Sequence, residues 1–564
     1  MFAILSNFLN SKSKKISSAA ITIAIFGLIS RLLGLLRDRI LAGQFGAGQT
    51  LDIYYAAFKI PDLLYGFLIA GSVAAAFIPV FHEYLVKDKK EAWKLASLTL
   101  NFLFLGLVVF SAILIIFSPQ LIYLVVPGFN PAAKALTVYM SRLMFLSTFF
   151  LGLSSLFSAL LQAFSRFLIT SLAPIFYNLG IIFGILFLAP RFGVAGLAYG
   201  VIIGAAAHFL IQLPVLHKIG FKWQLIFDIA DPGIKKIAKL WVPTLSLVAL
   251  QLNSLVITSI ASTLSVGSIS IFNLADNLRW VPIGIIGVAF STAAFPAMNL
   301  AYAQGRNDLF LKRFSLAVRQ TLFIAVPAAF LIFALRVQIV RLILGIGQFG
   351  WQDTRLTAAA LGIFAFGIFT ATLLPLFTRA FFTFRNTKKP AVINVASMLI
   401  NIALSFIFMF FMSKIPPLNQ FLGNLLRLGD LNINVLILPL AVVIAGTINL
   451  AWHWIDLKKE IGDFGIFEIK KSSYKIFFAS IAAIIFTYAG LYFFSLFFDT
   501  RTGLGLLFQT AGAAFLGVSA YLLSAFALKM EEMLMLNVPS TLLNWSGIKN
   551  PEPEPMGESL DDQY

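Results

Sequence analysis

The sequence predicts an all-α polytopic membrane protein with about fourteen transmembrane helices. Of its 564 residues, 59% are hydrophobic and 12% are charged, whereas soluble domains average about 25% charged residues. Apolar runs of about 18 residues or more recur along the chain, and each is long enough to cross a bilayer as a helix. Only helices and closed barrels satisfy their backbone hydrogen bonds in lipid, and these runs are too long and continuous for barrel strands.

Fourteen spans are predicted from the apolar runs and the loop signals between them. In chain order they cover residues 18–45, 51–84, 95–118, 135–163, 170–190, 194–216, 240–264, 270–300, 314–335, 356–384, 390–413, 433–456, 474–498 and 504–528. The first run follows Lys12, Lys14 and Lys15, as a signal peptide would, but it continues into Arg31 without a clear cleavage signal. We therefore interpret it as a retained helix.

The basic residues predict the orientation. With a cytoplasmic N-terminus, the cytoplasmic segments hold 26 Lys and Arg residues, the outer segments 8 and the spans 8. Such an excess marks the cytoplasmic side of membrane proteins, so both termini are expected there. The net charge of +18 is assigned to these loops and not to nucleic-acid binding. The chain has no cysteine, which excludes disulfides and thiolate metal sites, and we expect no cofactor.

An internal repeat predicts two lobes. The motif AAAFIP (74–79) returns as TAAFP (292–296), and two further landmarks return at nearly the same spacing, with offsets of 216–218 residues. The repeat is six spans long, an even number, so its copies share one orientation and are expected to form two parallel lobes around a central cavity. The predicted division is an N-terminal lobe (1–217), a cytoplasmic basic linker (218–239), a C-terminal lobe (240–456), two further helices (457–528) and a cytoplasmic, partly disordered tail (529–564).

Charged residues inside the spans are the candidate site residues, because ionisable groups at membrane depth are costly and usually face a water-filled cavity. Arg31 and Lys59 fall well inside their spans. Arg37 is either a cavity residue or part of an ion pair with the adjacent aspartate. Asp276 and Arg279 lie three residues apart, so they are as readily a pair as substrate contacts. Eight basic residues against four aspartates predict a cavity suited to an anion.

The absence of catalytic motifs favours a transporter over an enzyme. The chain has no G-x-x-x-x-G-K-[ST] phosphate loop, so it is not expected to hydrolyse ATP. Its four histidines are scattered, with no metal-ligand spacing. Arg319 is expected to reach the cytoplasmic interface from its span.

Several stretches closely resemble the MurJ/MviN family of lipid II flippases, which belongs to the MOP flippase superfamily. They are SRLLGLLRD (30–38), AAFKIPDLL (56–64), AAAFIPVFHEY (74–84), VPIGIIGVAFSTAAFP (281–296) and RAFFTFRNTKKP (379–390). The resemblance covers the first twelve spans in order. It implies a bacterial inner-membrane protein that moves the undecaprenyl-diphosphate-linked peptidoglycan precursor, lipid II, to the outer leaflet by alternating access. It also implies a lipid-tail groove formed by the last two helices.

The resemblance implies substrate contacts at the helix-1 arginines and at the helix-2 aspartate, and it also shows departures. Tyr65, Gly66 and Ala70 stand where the family usually has charged residues, and Asn277 stands where an arginine is usual. We expect Lys59 or Arg279 to replace the missing charges at these positions. The sodium site of some relatives is not expected in this chain. The expected substrate-binding residues are Arg31, Arg37, Asp52, Lys59, Asn277 and Arg279.

We expect a monomer that contacts membrane lipids and moves lipid II. Three alternative functions remain. The departures leave open a flippase for another polyprenyl-diphosphate-linked glycan. A polyprenyl-phosphate glycosyltransferase is disfavoured, because the outer loops at 119–134 and 265–269 contain no acidic residue to hold a metal. A cation-drug exporter is disfavoured, because a basic cavity repels cations.

Overall fold

The structure is a computed structural model of the whole chain, and it describes residues 16–68, 73–241, 246–414, 423–424, 428–429 and 431–536. Throughout these ranges the regular secondary structure is helical and no strand occurs. The all-α class predicted from the apolar runs is confirmed. The tail from residue 537 onwards, which includes most of the segment predicted to be partly disordered, lies outside the described residues.

Twenty-two α-helices lie in the described ranges. They are α1 (Ile16–Phe45), α2 (Gln49–Ala57), α3 (Lys59–Leu68), α4 (Val73–Lys87), α5 (Lys89–Ile116), α6 (Ser118–Val125), α7 (Pro131–Ala163), α8 (Phe167–Phe183), α9 (Ala189–Phe192), α10 (Val194–Leu210), α11 (Leu213–Lys218), α12 (Pro232–Trp241), α13 (Ser246–Ser262), α14 (Ser268–Pro282), α15 (Ala289–Ala303), α16 (Asn307–Ile343), α17 (Trp351–Ala365), α18 (Ile368–Thr383), α19 (Lys388–Lys414), α20 (Ile437–Ile461), α21 (Ile466–Ser495) and α22 (Gly503–Ala527). π-Helical turns at Gly184–Leu188 and Ile283–Val288 connect α8 to α9 and α14 to α15.

These helices are long and apolar enough for a polytopic membrane protein. Among the described residues, ten helical segments could each cross a bilayer, and the pair α17–α18, bent by 44°, makes an eleventh. The predicted spans outside this group correspond to α1, to α2–α4 and to α13. A helix or a broken helix therefore stands at every predicted span, and the polytopic fold class is confirmed.

The second span is divided, although the sequence predicted one helix over 51–84. Helix α2 ends at Ala57, and α3 starts at Lys59 after a turn at Phe58. Pro61 lies in the first turn of α3, where its missing N–H leaves the carbonyl of Ala57 without its helical donor. The break at Phe58 therefore directly follows Ala57, whose carbonyl would lack a hydrogen bond in a continuous helix. Ile69–Ser72, which include Ala70, lie outside the described residues.

Glycines allow α8 and the π-helical turn that follows it to pack closely against α10. A β-carbon at Gly180 would collide with the backbone of Gly204, and one at Gly184 would collide with the backbone of Gly200. Small residues at such positions let membrane helices approach backbone to backbone. The packing depends on the absence of side chains at these four residues, and it supports α8 next to the cavity described below.

The described helices group into two compact units. The first unit comprises 1–278, 343–360 and 391–445, and the second comprises 279–342, 361–390 and 446–564. Both cores contain buried aromatic residues, among them Phe77, Phe81 and Trp93 in the first and Phe314 and Phe377 in the second. The division into two lobes derived from the repeat stays a prediction.

Candidate substrate-binding cavity

A polar cavity of about 240 Å³ lies within the first unit, among α1, α2, α3, α8 and α14. Its polar lining comprises Arg37, Asp38, Tyr54, Tyr55, Lys59, Asp62, Tyr177, Asn273 and Asn277. The two basic and two acidic groups balance one another formally, so this cavity is less basic than the embedded residues as a whole predicted. The guanidinium and ammonium groups in this lining are donors of the kind that phosphate oxygens accept.

Arg37 is held on two sides. Its Nε and Nη2 donate to Asp38 Oδ1 at 3.0 and 2.8 Å, and its Nη1 donates to Asn178 Oδ1 at 3.2 Å. Asn178 is anchored in turn, because its Nδ2 donates to the carbonyl oxygen of Pro174 at 3.1 Å. Both alternatives raised by the sequence therefore hold together, since Arg37 is paired with Asp38 and also lines the cavity. These contacts orient the guanidinium.

Asp38 links α1 to α14. Its second carboxylate oxygen accepts a hydrogen bond from Asn277 Nδ2 at 2.9 Å. Asn273 lies one turn before Asn277 on α14 and lines the same cavity. The buried carboxylate of Asp38 thus bridges Arg37 on α1 and Asn277 on the polar face of α14.

Lys59 is the second cation of the cavity. It lies at the start of α3, and its Nζ donates to Ser254 Oγ on α13 at 3.0 Å. Asp62, one helical turn further along, and Asp276 on α14 both lie close enough to interact electrostatically with it. These opposite charges stabilise an ammonium group at membrane depth.

Asp52 lies outside the cavity lining, at the N-terminus of α14. Its Oδ2 accepts from the backbone N–H of Gly267 at 2.6 Å, and its Oδ1 accepts from the backbone N–H and the hydroxyl of Ser270 at 2.8 and 2.6 Å. A carboxylate is favoured there, because the first N–H groups of a helix lack internal partners. Asp52 thereby fixes the start of the helix that carries Asn273 and Asn277.

Two predicted arginines lie apart from the cavity lining. Arg31 is exposed on α1, about 9 Å along the helix axis from Arg37 at 1.5 Å per residue. Arg279 belongs to the second unit, where it is buried with its guanidinium carbon 4.3 Å from the ring centroid of Phe364. The structure therefore brings together Arg37, Lys59 and Asn277 from the predicted set.

Arg319, expected to reach the interface, makes ion pairs within the second unit. Its Nη1 lies 2.9 Å from Glu531 and 3.1 Å from Glu532, and Glu532 also accepts from the hydroxyl of Ser472 at 2.9 Å. Glu532 is buried and Glu531 is exposed. These contacts give Arg319 a structural role, fastening the segment after α22 to α16 and α21.

Sequence reasoning missed most of the uncharged lining. Tyr54, Tyr55 and Tyr177 place hydroxyl-bearing rings in the cavity. Tyrosines are common near membrane interfaces, so no pattern marked these three. Asn178 carries no charge, so the charges inside the spans did not mark it. Its contact with Arg37 joins residues 141 positions apart, and no local pattern predicts such a pair. Among the described residues no group of three His, Cys, Asp or Glu side chains could hold a metal.

The match to known families covers most of the chain. The family model for the lipid II flippase MurJ matches residues 41–512. The chain belongs to the MurJ family. A probable lipid II flippase MurJ from Buchnera aphidicola subsp. Acyrthosiphon pisum is 32% identical over 387 residues, which make up 68% of this chain and 76% of that protein. The family resemblance stated from the motifs is confirmed.

Solved structures support the same fold. A lipid II flippase MurJ in an inward closed conformation superposes with a TM-score of 0.71 at 24% identity, covering 91% of this chain and all of that one. An inward-facing MATE family multidrug resistance transporter of the MOP superfamily gives a TM-score of 0.62 at 15% identity, over 78% of this chain and 98% of that one. At these identities the likeness shows the fold alone, and this chain shares that fold with both structures.

Proposed function

We propose that this protein is a transporter that moves lipid II from the cytoplasmic to the outer leaflet of the bacterial inner membrane. Membership of the MurJ family supports this function. The predicted orientation places both termini in the cytoplasm, and the working unit is a monomer. Alternating access exposes the substrate site first to one side and then to the other, without a phosphate loop to couple the cycle to ATP.

The position of Arg37 carries the proposal. Its guanidinium lies in a polar cavity among membrane helices and is oriented by Asp38 and Asn178. A guanidinium offers a planar fork of donors that matches two phosphate oxygens, and such charge-assisted hydrogen bonds are stronger than neutral ones. When the diphosphate enters, its oxygens replace the carboxylate of Asp38 as acceptors. Lys59 supplies the second positive charge from α3.

The remaining predicted residues act around this centre. Arg31, exposed nearer the cytoplasmic end of α1 in the predicted orientation, contacts the diphosphate before it reaches Arg37. Asn277 donates an amide hydrogen bond and releases Asp38 when the substrate binds. The contacts of Asp52 support a positioning role, since all three go to the start of α14. A substrate contact of Arg279, which belongs to the second unit, stays a prediction.

A second candidate is a flippase for another polyprenyl-diphosphate-linked glycan. The balanced charge of the cavity lining favours it, together with Gly66 and Asn277 at positions that are usually charged in the family. Because both substrates share the diphosphate, Arg37 has the same role in either case. Direct comparison of the binding of lipid II with that of other lipid-linked glycans distinguishes the two functions.

The test is replacement of the native flippase in a bacterial strain. The native protein is depleted, this chain is supplied, and lipid II is measured by its accessibility at the outer face of the membrane. We expect the wild-type chain to restore accessibility and Arg37→Ala to lose it at equal expression. Arg166→Ala, a change outside the cavity lining, is the control. Inaccessible lipid II with a well-expressed wild-type chain would reject the proposed function.

A further inference from the structure

A second cavity, of about 620 Å³, opens on the first unit and shares no residue with the polar cavity. Helices α5, α7, α10 and α11 form its walls, and the non-helical segment 221–227 forms one rim. Leu153, Phe157 and Leu216 are buried at these walls, whereas Trp223 and Leu225 on the rim are exposed. The lining is almost entirely apolar, and the volume falls within the usual range of ligand sites, about 300–1,000 Å³.

The rim is held by buried polar groups on α5. Asn101 Nδ2 donates to the carbonyl oxygens of Gln224 and Ile226 at 2.8 Å each, and Asn101 Oδ1 accepts from Trp223 Nε1 at 2.8 Å. The hydroxyl oxygen of Ser97 accepts from the backbone N–H of Gln224 at 3.3 Å. Buried backbone polar groups outside helices need partners in the protein. Asn101 and Ser97 supply them, and so hold the non-helical rim against α5.

The predicted third span and the exposed side chains on α5 indicate the leaflet in which the cavity lies. Leu100 and Leu105 on α5 line it, five and ten residues after the predicted start of the third span. At 1.5 Å per residue this corresponds to about 8–15 Å below the interface. Phe104 and Leu105, on the same helix, are exposed. In the predicted orientation the cavity thus faces the acyl chains of the cytoplasmic leaflet.

Lysines lie next to residues of the cavity lining and its rim. His217 lines the cavity and Lys218 follows it, while Lys222 lies between two lining residues of the rim. Lys89 Nζ comes within 3.9 Å of the position that a β-carbon on Gly220 would take. One acidic residue, Asp228, follows the far end of the rim. Basic pockets beside membrane helices on the cytoplasmic side suit phospholipid head groups.

We propose that this cavity binds one anionic phospholipid of the cytoplasmic leaflet, with an acyl chain between α5 and α11 and the phosphate near Lys89, Lys218 and Lys222. The bound lipid covers the apolar rim formed by Trp223, Leu225 and Phe227. The wall at Leu153 and Phe157 closes the far side, so the cavity accommodates a short chain segment. An undecaprenyl tail is much longer, and the substrate's own charge is bound by Arg37 elsewhere in the unit.

The test is native mass spectrometry of the purified full-length protein in detergent, with palmitoyl-oleoyl phosphatidylglycerol or the matching phosphatidylcholine added. We expect one phosphatidylglycerol molecule to be retained in preference to phosphatidylcholine. Lys218→Gln combined with Lys222→Gln is expected to weaken that binding about thirtyfold, which is the effect of two lysines near an anionic surface. Lys470→Gln combined with Lys471→Gln, two exposed lysines elsewhere, is the matched control.

A second variant tests the apolar part of the site. Leu105→Trp fills the cavity mouth from the lipid-facing side of α5, and Val109→Trp, one turn further along and outside the lining, is its control. We expect Leu105→Trp alone to release the lipid, with both proteins monodisperse. Equal retention of both phospholipids, unchanged binding in the lysine variant, or displacement of phosphatidylglycerol by undecaprenyl phosphate would each overturn the proposal. If Leu105→Trp does not fold, the lysine variant alone decides.

Discussion

Replacing Asp52 with alanine is expected to destabilise the start of α14. The carboxylate is 3% exposed and accepts three hydrogen bonds of 2.6–2.8 Å, from Gly267 and Ser270. Its loss leaves two backbone N–H groups and one hydroxyl group without their acceptor. Because α14 carries Asn273 and Asn277, the same change also loosens one wall of the cavity.

The magnitude follows from the bonds that are lost. A hydrogen bond to a charged group contributes about 1.5–3 kcal/mol, and loss of a helix N-cap side chain costs about 0.5–2 kcal/mol. The three bonds share one carboxylate and overlap with the capping effect, so we expect Asp52→Ala to lower the free energy of unfolding by about 3 kcal/mol. Asp52→Asn keeps one acceptor oxygen, and about half of that loss is expected.

The assay is thermal unfolding of the purified protein in detergent, followed by tryptophan fluorescence. Asp353→Asn is the control, because that carboxylate accepts from the backbone N–H groups of Ala47 and Gly350 at longer distances of 3.2 Å each, and a smaller shift is expected. If Asp52→Ala unfolds at the wild-type midpoint yet loses transport, the positioning role is refuted and a direct substrate contact is favoured.

Three further changes test other parts of the structure. Arg31→Ala is expected to abolish transport while leaving the unfolding midpoint unchanged, since the side chain is exposed. Gly200→Leu is expected to prevent α8 and α10 from packing, which a reduced yield of monodisperse protein would reveal. Glu532→Gln is expected to lower the free energy of unfolding by about 3 kcal/mol, because it leaves the charge of Arg319 without its buried partner.

Each of these changes has a matched comparison. Normal flux in Arg31→Ala would assign that arginine a structural or surface role. Gly106→Leu is the control for Gly200→Leu, because no atom lies within 4 Å of its β-carbon position. Glu531→Gln removes the other carboxylate near Arg319. The side chain of Glu531 is 70% exposed, so this change should shift the unfolding midpoint little. Equal effects of the two glutamate changes would contradict the buried-pair argument.

The spans were predictable because hydrophobic length is a local property. A run of about 20 apolar residues must form a helix in lipid whatever surrounds it. The ends were less predictable, since α16 runs over Asn307–Ile343 whereas the apolar run predicted 314–335. Polar residues outside the hydrocarbon continue the helix without any hydropathy signal. Hydropathy alone does not locate the break near Phe58, because it does not register the N–H that Pro61 lacks.

The cavity was only partly predictable, because its contacts join distant parts of the chain. Arg37 and Lys59 were predicted as substrate-binding residues, because charged groups inside a span are costly to bury and usually face a cavity. Their partners, Asn178 and Ser254, lie 141 and 195 residues away. Asp52 is expected to contact the substrate because of the family resemblance, and that expectation stays a prediction. Its hydrogen bonds go to a helix N-terminus, which a single sequence does not reveal.

The position of Asn277 allows the charge balance of the cavity to be tested directly. Asn277→Arg restores the residue type that the family usually has there and adds a third positive charge beside Asp38. One additional charge-assisted hydrogen bond to the diphosphate contributes about 1.5–3 kcal/mol, so we expect lipid II to bind at least about tenfold more tightly. Asn277→Gln, which keeps the amide, is the control and should leave the affinity near that of the wild type. Unchanged affinity in Asn277→Arg would mean that the diphosphate does not reach α14, and the binding site would then be confined to α1 and α3.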